Sequence, residues 1–205
     1  MYPEALDFLT CPRDPEARLA LEPGARRAAD GELLSGRLRC PACGAAYAVA
    51  GGVADLLGPR ALPDSPAQLV NALPPTVWAY ERLWRPRALS LLSGEPFGYR
   101  RELALVAGLL APAGGGLIVD VACSSGLYAR ALARALGAAA GHVVGIDHAL
   151  PMLRQARAFA RAEGLRVSFV RARAQALPFA AGAAAGLAMG GSLNEIGDVA
   201  GALGE

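Results

Sequence analysis

The stretch Val119-Asp120-Val121-Ala122-Cys123-Ser124-Ser125-Gly126 joins a short β-branched run to a helical one. In a parallel sheet such a turn sits at the carboxyl edge, where small residues let a ligand approach the backbone. The helix N-terminus there presents free N–H groups to anionic atoms. Asp147 ends the next β-branched run, 21 residues beyond Gly126, and an acidic side chain at that place can accept both hydroxyls of a ribose. The other reactive set is cysteine: Cys11, Cys40 and Cys43, with Cys123 apart. So few thiols in so long a chain, two of them in Cys40-Pro-Ala-Cys43, suit metal chemistry better than a disulfide framework. A Cys40–Cys43 disulfide is the remaining alternative, and Cys123 reads as a small buried packing residue.

A dinucleotide fold would need glycines at positions that read Ala122, Ser124 and Leu127, so the loop suits a ligand without a pyrophosphate. A second motif is Val144-Gly145-Ile146-Asp147; Met152-Leu153 opens the following helix, and Ala174-Gln175-Ala176-Leu177-Pro178-Phe179 follows a third strand. Through these ordered motifs, residues 100 to 198 resemble the class I S-adenosylmethionine-dependent methyltransferases. Tyr80-Glu81-Arg82-Leu83-Trp84-Arg85 is similar to the helix preceding that domain in bacterial and plastid members.

The resemblance implies S-adenosyl-L-methionine as cofactor, with Asp147 on the ribose, His148 beside it, and Met152, Ala174 and Gln175 at the adenine. It puts Asp120, Ala122, Cys123, Ser124 and Gly126 at the methionine end, and Gly190 at the edge of the fourth strand. The sequence departs from the family where Ala122 and Ser124 replace glycines, each adding a Cβ beside the ligand. Arg173 stands where an aspartate commonly accepts from the adenine amino group, which arginine cannot do. Ala184-Ala185 replaces an aromatic-acidic pair. Methyl transfer to N, O, C or S needs in-line geometry and no obligatory base, so no catalytic residue is named. Tyr80, Trp84, Arg85, Tyr99 and Asn194 are the substrate-side candidates, Asn194 because Gly190 to Glu195 follows the fourth strand to the same edge.

The N-terminal part resembles a zinc ribbon fused to or partnered with some RNA and protein methyltransferases, through Leu9-Thr10-Cys11-Pro12, Leu38-Arg39-Cys40-Pro41-Ala42-Cys43 and Tyr47 to Leu57. The implied zinc ligands are Cys11, Asp14, Cys40 and Cys43, with a carboxylate that zinc accepts where the pattern calls for a fourth cysteine. A ribbon without metal, held by packing, is the alternative.

The elements that must position these residues fall into three regimes. Residues 1–60, short apolar runs broken by Gly and Pro, predict a small β-rich zinc-ribbon-like module that needs a staple. Residues 61–112 form a proline-rich linker and a helical lid carrying Trp78, Tyr80, Leu83, Trp84 and Leu89 among arginines; its aromatics are expected on the sheet and its arginines in solvent, with a cover over the active site as the alternative. Residues 113–205 predict an α/β domain, a Rossmann-like doubly wound parallel sheet. After a break at Pro112 and Gly114 to Gly116, its strands are Leu117 to Val121, Val143 to Ile146, Val167 to Val170 and Leu187 to Met189. Its helices are Leu127 to Leu136 and Leu150 to Glu163, with Gly164 as a stop; a further helix, Glu102 to Leu110, precedes the break. The C-terminal part is short for the family and leaves an exposed strand edge.

Twenty basic residues, all arginine, against eighteen acidic give a net charge of +2, too balanced to mark a nucleic-acid or anionic-membrane binder. No apolar run of membrane-spanning length and no basic leader occurs, which predicts a cytoplasmic protein without membrane association. Three function classes stay open. One is a methyltransferase acting on an RNA base or small molecule. The others are a non-catalytic, truncated adenosine-binding or protein-partner module, and an NAD-dependent oxidoreductase, disfavoured by the glycine pattern.

Overall fold

The structure, a computed structural model, describes residues 1–59, 61–63, 65–71, 73–110, 115–137 and 141–205. The predicted break residues Pro112 and Gly114 lie outside these. The chain opens with α1 (Pro3–Leu6), then β1 (Thr10–Cys11), β2 (Asp14–Arg18), β3 (Ala20–Leu21), β4 (Arg26–Arg27), β5 (Leu33–Arg39), β6 (Ala46–Ala50) and β7 (Val53–Asp55). Helices α2 (Pro66–Asn71) and α3 (Pro74–Ala79) follow, then a π turn (Tyr80–Trp84), α4 (Arg85–Ser93) and α5 (Tyr99–Leu110). The last part is β8 (Gly116–Val121), α6 (Leu127–Leu136), β9 (Gly141–Asp147), α7 (Leu150–Ala162), β10 (Val167–Arg171), β11 (Ala184–Met189), a 3-10 turn (Leu193–Glu195) and α8 (Val199–Gly204).

Strands β11, β8, β9 and β10 lie side by side, all parallel, with β8 pairing β9 from Gly116↔Gly141 to Val121↔Ile146. This is the expected α/β fold class. A parallel sheet is stable only with both faces covered, and its strand residues alternate between two packing clusters. On one face Ile118, Val143 and Phe169 meet Ala129 and Leu132 of α6 and Leu153 and Ala156 of α7. On the other, Val119, Val144, Ile146 and Val170 meet Met1, Ala5, Leu9, Leu33 and Leu38.

The N-terminal region therefore supplies the second layer itself. It also lengthens the sheet: β7 pairs β10 in parallel, Val53 opposite Phe169, and β6, β5 and β3 continue antiparallel. The division near residue 60 is thus one of composition and not of packing. At the far side, among the described residues, β11 pairs β8 alone and is an edge.

The helices before β8 reverse one expectation. Trp78 and Trp84 are 58% and 55% exposed, whereas Arg85 is buried. The exchange has an electrostatic cause. Glu102, buried on α5, takes two hydrogen bonds from the Arg85 guanidinium, and a paired arginine can occupy an interior position that an unpaired one cannot. Among the described residues no helix is long and apolar enough to cross a membrane.

Candidate functional site

The turn after β8 is wound tightly at the carboxyl edge. Ala122 and Ser124 adopt φ of 54° and 49°, a left-handed conformation that costs an L-residue about 1 kcal/mol. This conformation aims the Ser124 amide at Asp147, whose Oδ2 accepts it at 2.8 Å while Oδ1 accepts the Ala149 amide at 2.7 Å. Asp147 is so fixed at the end of β9 with lone pairs still facing the cleft. Burial pushes its carboxyl above the ordinary range, against the pull of those amides. Gly126 starts α6 with φ 73°, and a Cβ there would lie 3.0 Å from both Ala156 and Phe169. Its role is close helix-to-sheet packing, and it lines neither part of the cleft, in contrast to the site expectation.

One part of the cleft is bounded by Ala122, Ser124, Asp147, His148, Met152, Ala174, Gln175 and Gly190 and roofed by Tyr80. Met152 is buried, its Sδ 3.6 Å from the Ser124 hydroxyl. His148 Nε2 lies 3.1 Å from the Leu62 carbonyl, and burial with nearby Arg171 lowers its pKa. Gln175 donates to the Asp198 carbonyl at 3.3 Å, and Arg173 reaches the Leu62 carbonyl at 3.4 Å.

The second part lies over the β8 turn and is lined by Asp120, Cys123, Ser125, Arg85 and Tyr128. Asp120 is buried; its Oδ2 accepts the Ala129 amide at 2.8 Å. Burial, with the charge of Asp147, pushes its carboxyl up to about 7. Arg85 donates to Glu102 and to the Tyr128 hydroxyl at 3.3 Å, and its guanidinium lies over the Tyr128 and Tyr99 rings. Gly190 is required where the two parts meet, because a Cβ would run into the Tyr128 ring.

Most expected site residues converge; besides Gly126, three do not. Tyr99 stands behind Arg85, outside the cleft lining, with a buried hydroxyl that has no partner among the described residues. Trp84 lines a neighbouring groove. Asn194 is exposed and off the cleft, whereas Ser192 and Glu195 line it. A 3-10 turn rotates side chains by about 120° per residue, so the segment was placed correctly and the residue was not. The Ser192 hydroxyl and, in the second part, the Ser125 hydroxyl are buried without partners among the described residues.

In the N-terminal region the thiols of Cys11, Cys40 and Cys43 lie within 4.8 Å of one another. The Arg13 amide donates to Cys11 Sγ and the Cys43 amide to Cys40 Sγ, each at 3.4 Å. Asp14 does not join this group: it opens β2 as the strand partner of Cys11. The polar group that does approach is the Tyr47 hydroxyl, 3.4 Å from Cys11 Sγ. All four cysteines are free thiols.

Residues 118–203 match the family model described as a methyltransferase domain. An uncharacterized chloroplastic methyltransferase of Arabidopsis thaliana is 33% identical over 120 residues, 56% of this chain and 33% of that protein. The chain spans about a third of the length of that curated relative. Among solved structures, a SAM-dependent methyltransferase of Aquifex aeolicus aligns with 22% identity and a TM-score of 0.49, covering 63% of this chain and 64% of that one. The YcgJ protein of Bacillus subtilis aligns with 21% identity and a TM-score of 0.46, over 51% and 43%. Over residues 118–203 the chain is therefore similar to a methyltransferase domain.

Proposed function

We propose that the chain binds S-adenosylmethionine along this cleft and transfers its methyl group to an acceptor, an RNA base or a small molecule, held below the α3–α4 helix. The observation that carries the reading is Asp147, fixed by two amides at the end of β9 with its free lone pairs in the cleft. In this reading Asp147 holds the ribose, while Met152, Ala174, Gln175 and His148 enclose the adenine. Asp120, Ala122, Cys123 and Ser124 surround the methionine end, with Arg85 beside it. The Ser125 and Ser192 hydroxyls, without partners among the described residues, fit a polar ligand in both parts of the cleft, since buried polar atoms ordinarily have a partner. The bound cofactor supplies a sulfonium methyl, and the chain's work is to hold an acceptor in line with it.

The three N-terminal thiols suit zinc, with Cys11, Cys40 and Cys43 as ligands and Tyr47, not Asp14, nearest the fourth position. The free thiols are in keeping with a reducing compartment such as the cytoplasm. Calorimetric titration of the purified chain with S-adenosylmethionine and with NAD tests the main reading. Saturable binding of the first alone is expected, weakened at least about tenfold by Asp147→Ala, the loss of hydrogen bonds to a charged group. Binding of NAD alone, or of neither, overturns it.

A further inference from the structure

Beside the cleft runs an open groove of about 450 Å³, within the range of small-molecule sites. Its apolar walls are Pro75, Ala79 and the exposed indole of Trp84. Tyr80 lines this groove and both parts of the cleft, so all three spaces meet at its ring. Asn71 and Glu195 stand at the same junction, lining both the groove and the ribose side.

Glu195 is the one charged residue lining the groove among the described residues. Its Oε2 accepts from Asn71 Nδ2 at 2.8 Å, and its backbone carbonyl accepts the Ser65 hydroxyl at 2.7 Å. The side chain is thus held from α2, and among the described residues no donor reaches Oε1. A fixed carboxylate with one open oxygen in an apolar wall asks for a single O–H or N–H. Among the described residues no cation lines the groove, and the fixed carboxylate there disfavours phosphodiesters.

We propose, resting on the methyltransferase reading above, that this groove is the acceptor subsite and takes a small, flat, apolar molecule bearing a hydroxyl or ring N–H that Glu195 Oε1 receives as a hydrogen bond and then as a proton. As the acceptor oxygen or nitrogen forms its bond to the methyl carbon, the carbon–sulfur bond breaks and its electron pair stays on sulfur. The acceptor proton passes to Glu195, so a sulfonium and a carboxylate become a neutral thioether and a carboxylic acid. Burial, with Asp147 nearby, raises the Glu195 carboxyl above its ordinary range, which suits a proton acceptor.

The probes are 1-naphthol, naphthalene and a 20-nucleotide single-stranded RNA, titrated into the full chain in the presence of saturating S-adenosylhomocysteine. S-adenosylmethionine affinity is measured for every variant. The expected result is that 1-naphthol binds at least about tenfold tighter than naphthalene, the value of one hydrogen bond to a charged acceptor. Glu195→Met removes that preference and leaves naphthalene affinity in place, and Trp84→Ala, at an exposed position, weakens both probes alike. Equal binding of the two probes, a preference that survives Glu195→Met, or displacement of 1-naphthol by the RNA overturns the proposal. If these occur while S-adenosylmethionine still binds, the methyltransferase reading stands and only the acceptor subsite falls. Absence of S-adenosylmethionine binding overturns both.

Discussion

Two buried glutamates staple this fold by the same chemistry and to different ends. Glu32, 1% exposed, accepts from Arg157 Nε at 2.7 Å and Nη2 at 2.8 Å, from Arg161, and from the Met1 amine at 3.2 Å. It ties the N-terminal layer to α7, and none of these groups lines the cleft. Glu102 accepts from Arg85 and from the Tyr128 hydroxyl, tying α4 and α5 to α6, and both donors form the cleft wall. A staple remote from the ligand acts on stability alone, whereas one built into the wall sets stability and site shape together.

The largest effect that sharpens this contrast is expected at Glu32. Glu32→Ala leaves the buried Met1 amine and the partly buried Arg157 without their acceptor and costs about 3 kcal/mol of unfolding free energy, read by denaturant titration. S-adenosylmethionine affinity of the folded protein then stays within about twofold. The same staple predicts an acid limb. Burial alone would raise the Glu32 carboxyl, but Arg157, the N-terminal amine and Arg161 outweigh it and hold it at about 2. A depressed carboxylate contributes stability above its unfolded pKa, and that contribution is lost as pH falls from about 4.5 toward 2, on the order of 3 kcal/mol. Thermal melts of wild type and Glu32→Gln should converge at the acid end.

Glu102→Gln is expected to cost less in stability, about 2 kcal/mol, because an amide oxygen still accepts from Arg85. It should weaken S-adenosylmethionine about tenfold, since the Arg85 and Tyr128 positions depend on the carboxylate. Unchanged affinity would remove the distinction between the two staples.

Asp120→Asn should have the opposite sign. With its carboxyl pushed up to about 7, Asp120 favours the folded state while protonated and opposes it as pH rises through that value. The amide, which still accepts from Ala129, is expected to stabilise by on the order of 2 kcal/mol at pH 8 and by almost nothing at pH 4. The smallest effect is Ser124→Gly, which relieves the left-handed backbone and stabilises by about 1 kcal/mol or less, because glycine also gains freedom in the unfolded chain.

The legible parts of the fold were those whose signals are local. Helix α6 spans Leu127–Leu136 as its periodicity predicts, and β9 and β10 extend their predicted runs by three residues and by one. The cleft was legible because both motifs lie at strand ends, where topology brings them together. Contacts remote in sequence were not. Glu32 lies 125 residues from Arg157, and nothing in Val53-Ala54-Asp55 distinguishes a ribbon strand from one that joins β10. The exposure of Trp78 and Trp84 was not legible because hydropathy assigns aromatics to the interior, while the pairing of Arg85 with Glu102 decides which face turns inward. Glu195 lay one residue from Asn194, below the resolution of any argument from segment position.

The π turn at Tyr80–Trp84 sets the phase between the two halves of this helix. Such a turn carries one more residue than an α-helical turn of the same rise, so deleting a single residue within it would let α3 and α4 join as one continuous helix. Because the turn absorbs its extra residue locally, the deletion would leave α3 and α4 facing as they do now and change only the side chains of the turn itself. Tyr80, the ring shared by all three cavities, opens that turn and would leave its place. A change of one residue in length here can thus re-dress the roof without altering a single side chain of the sheet.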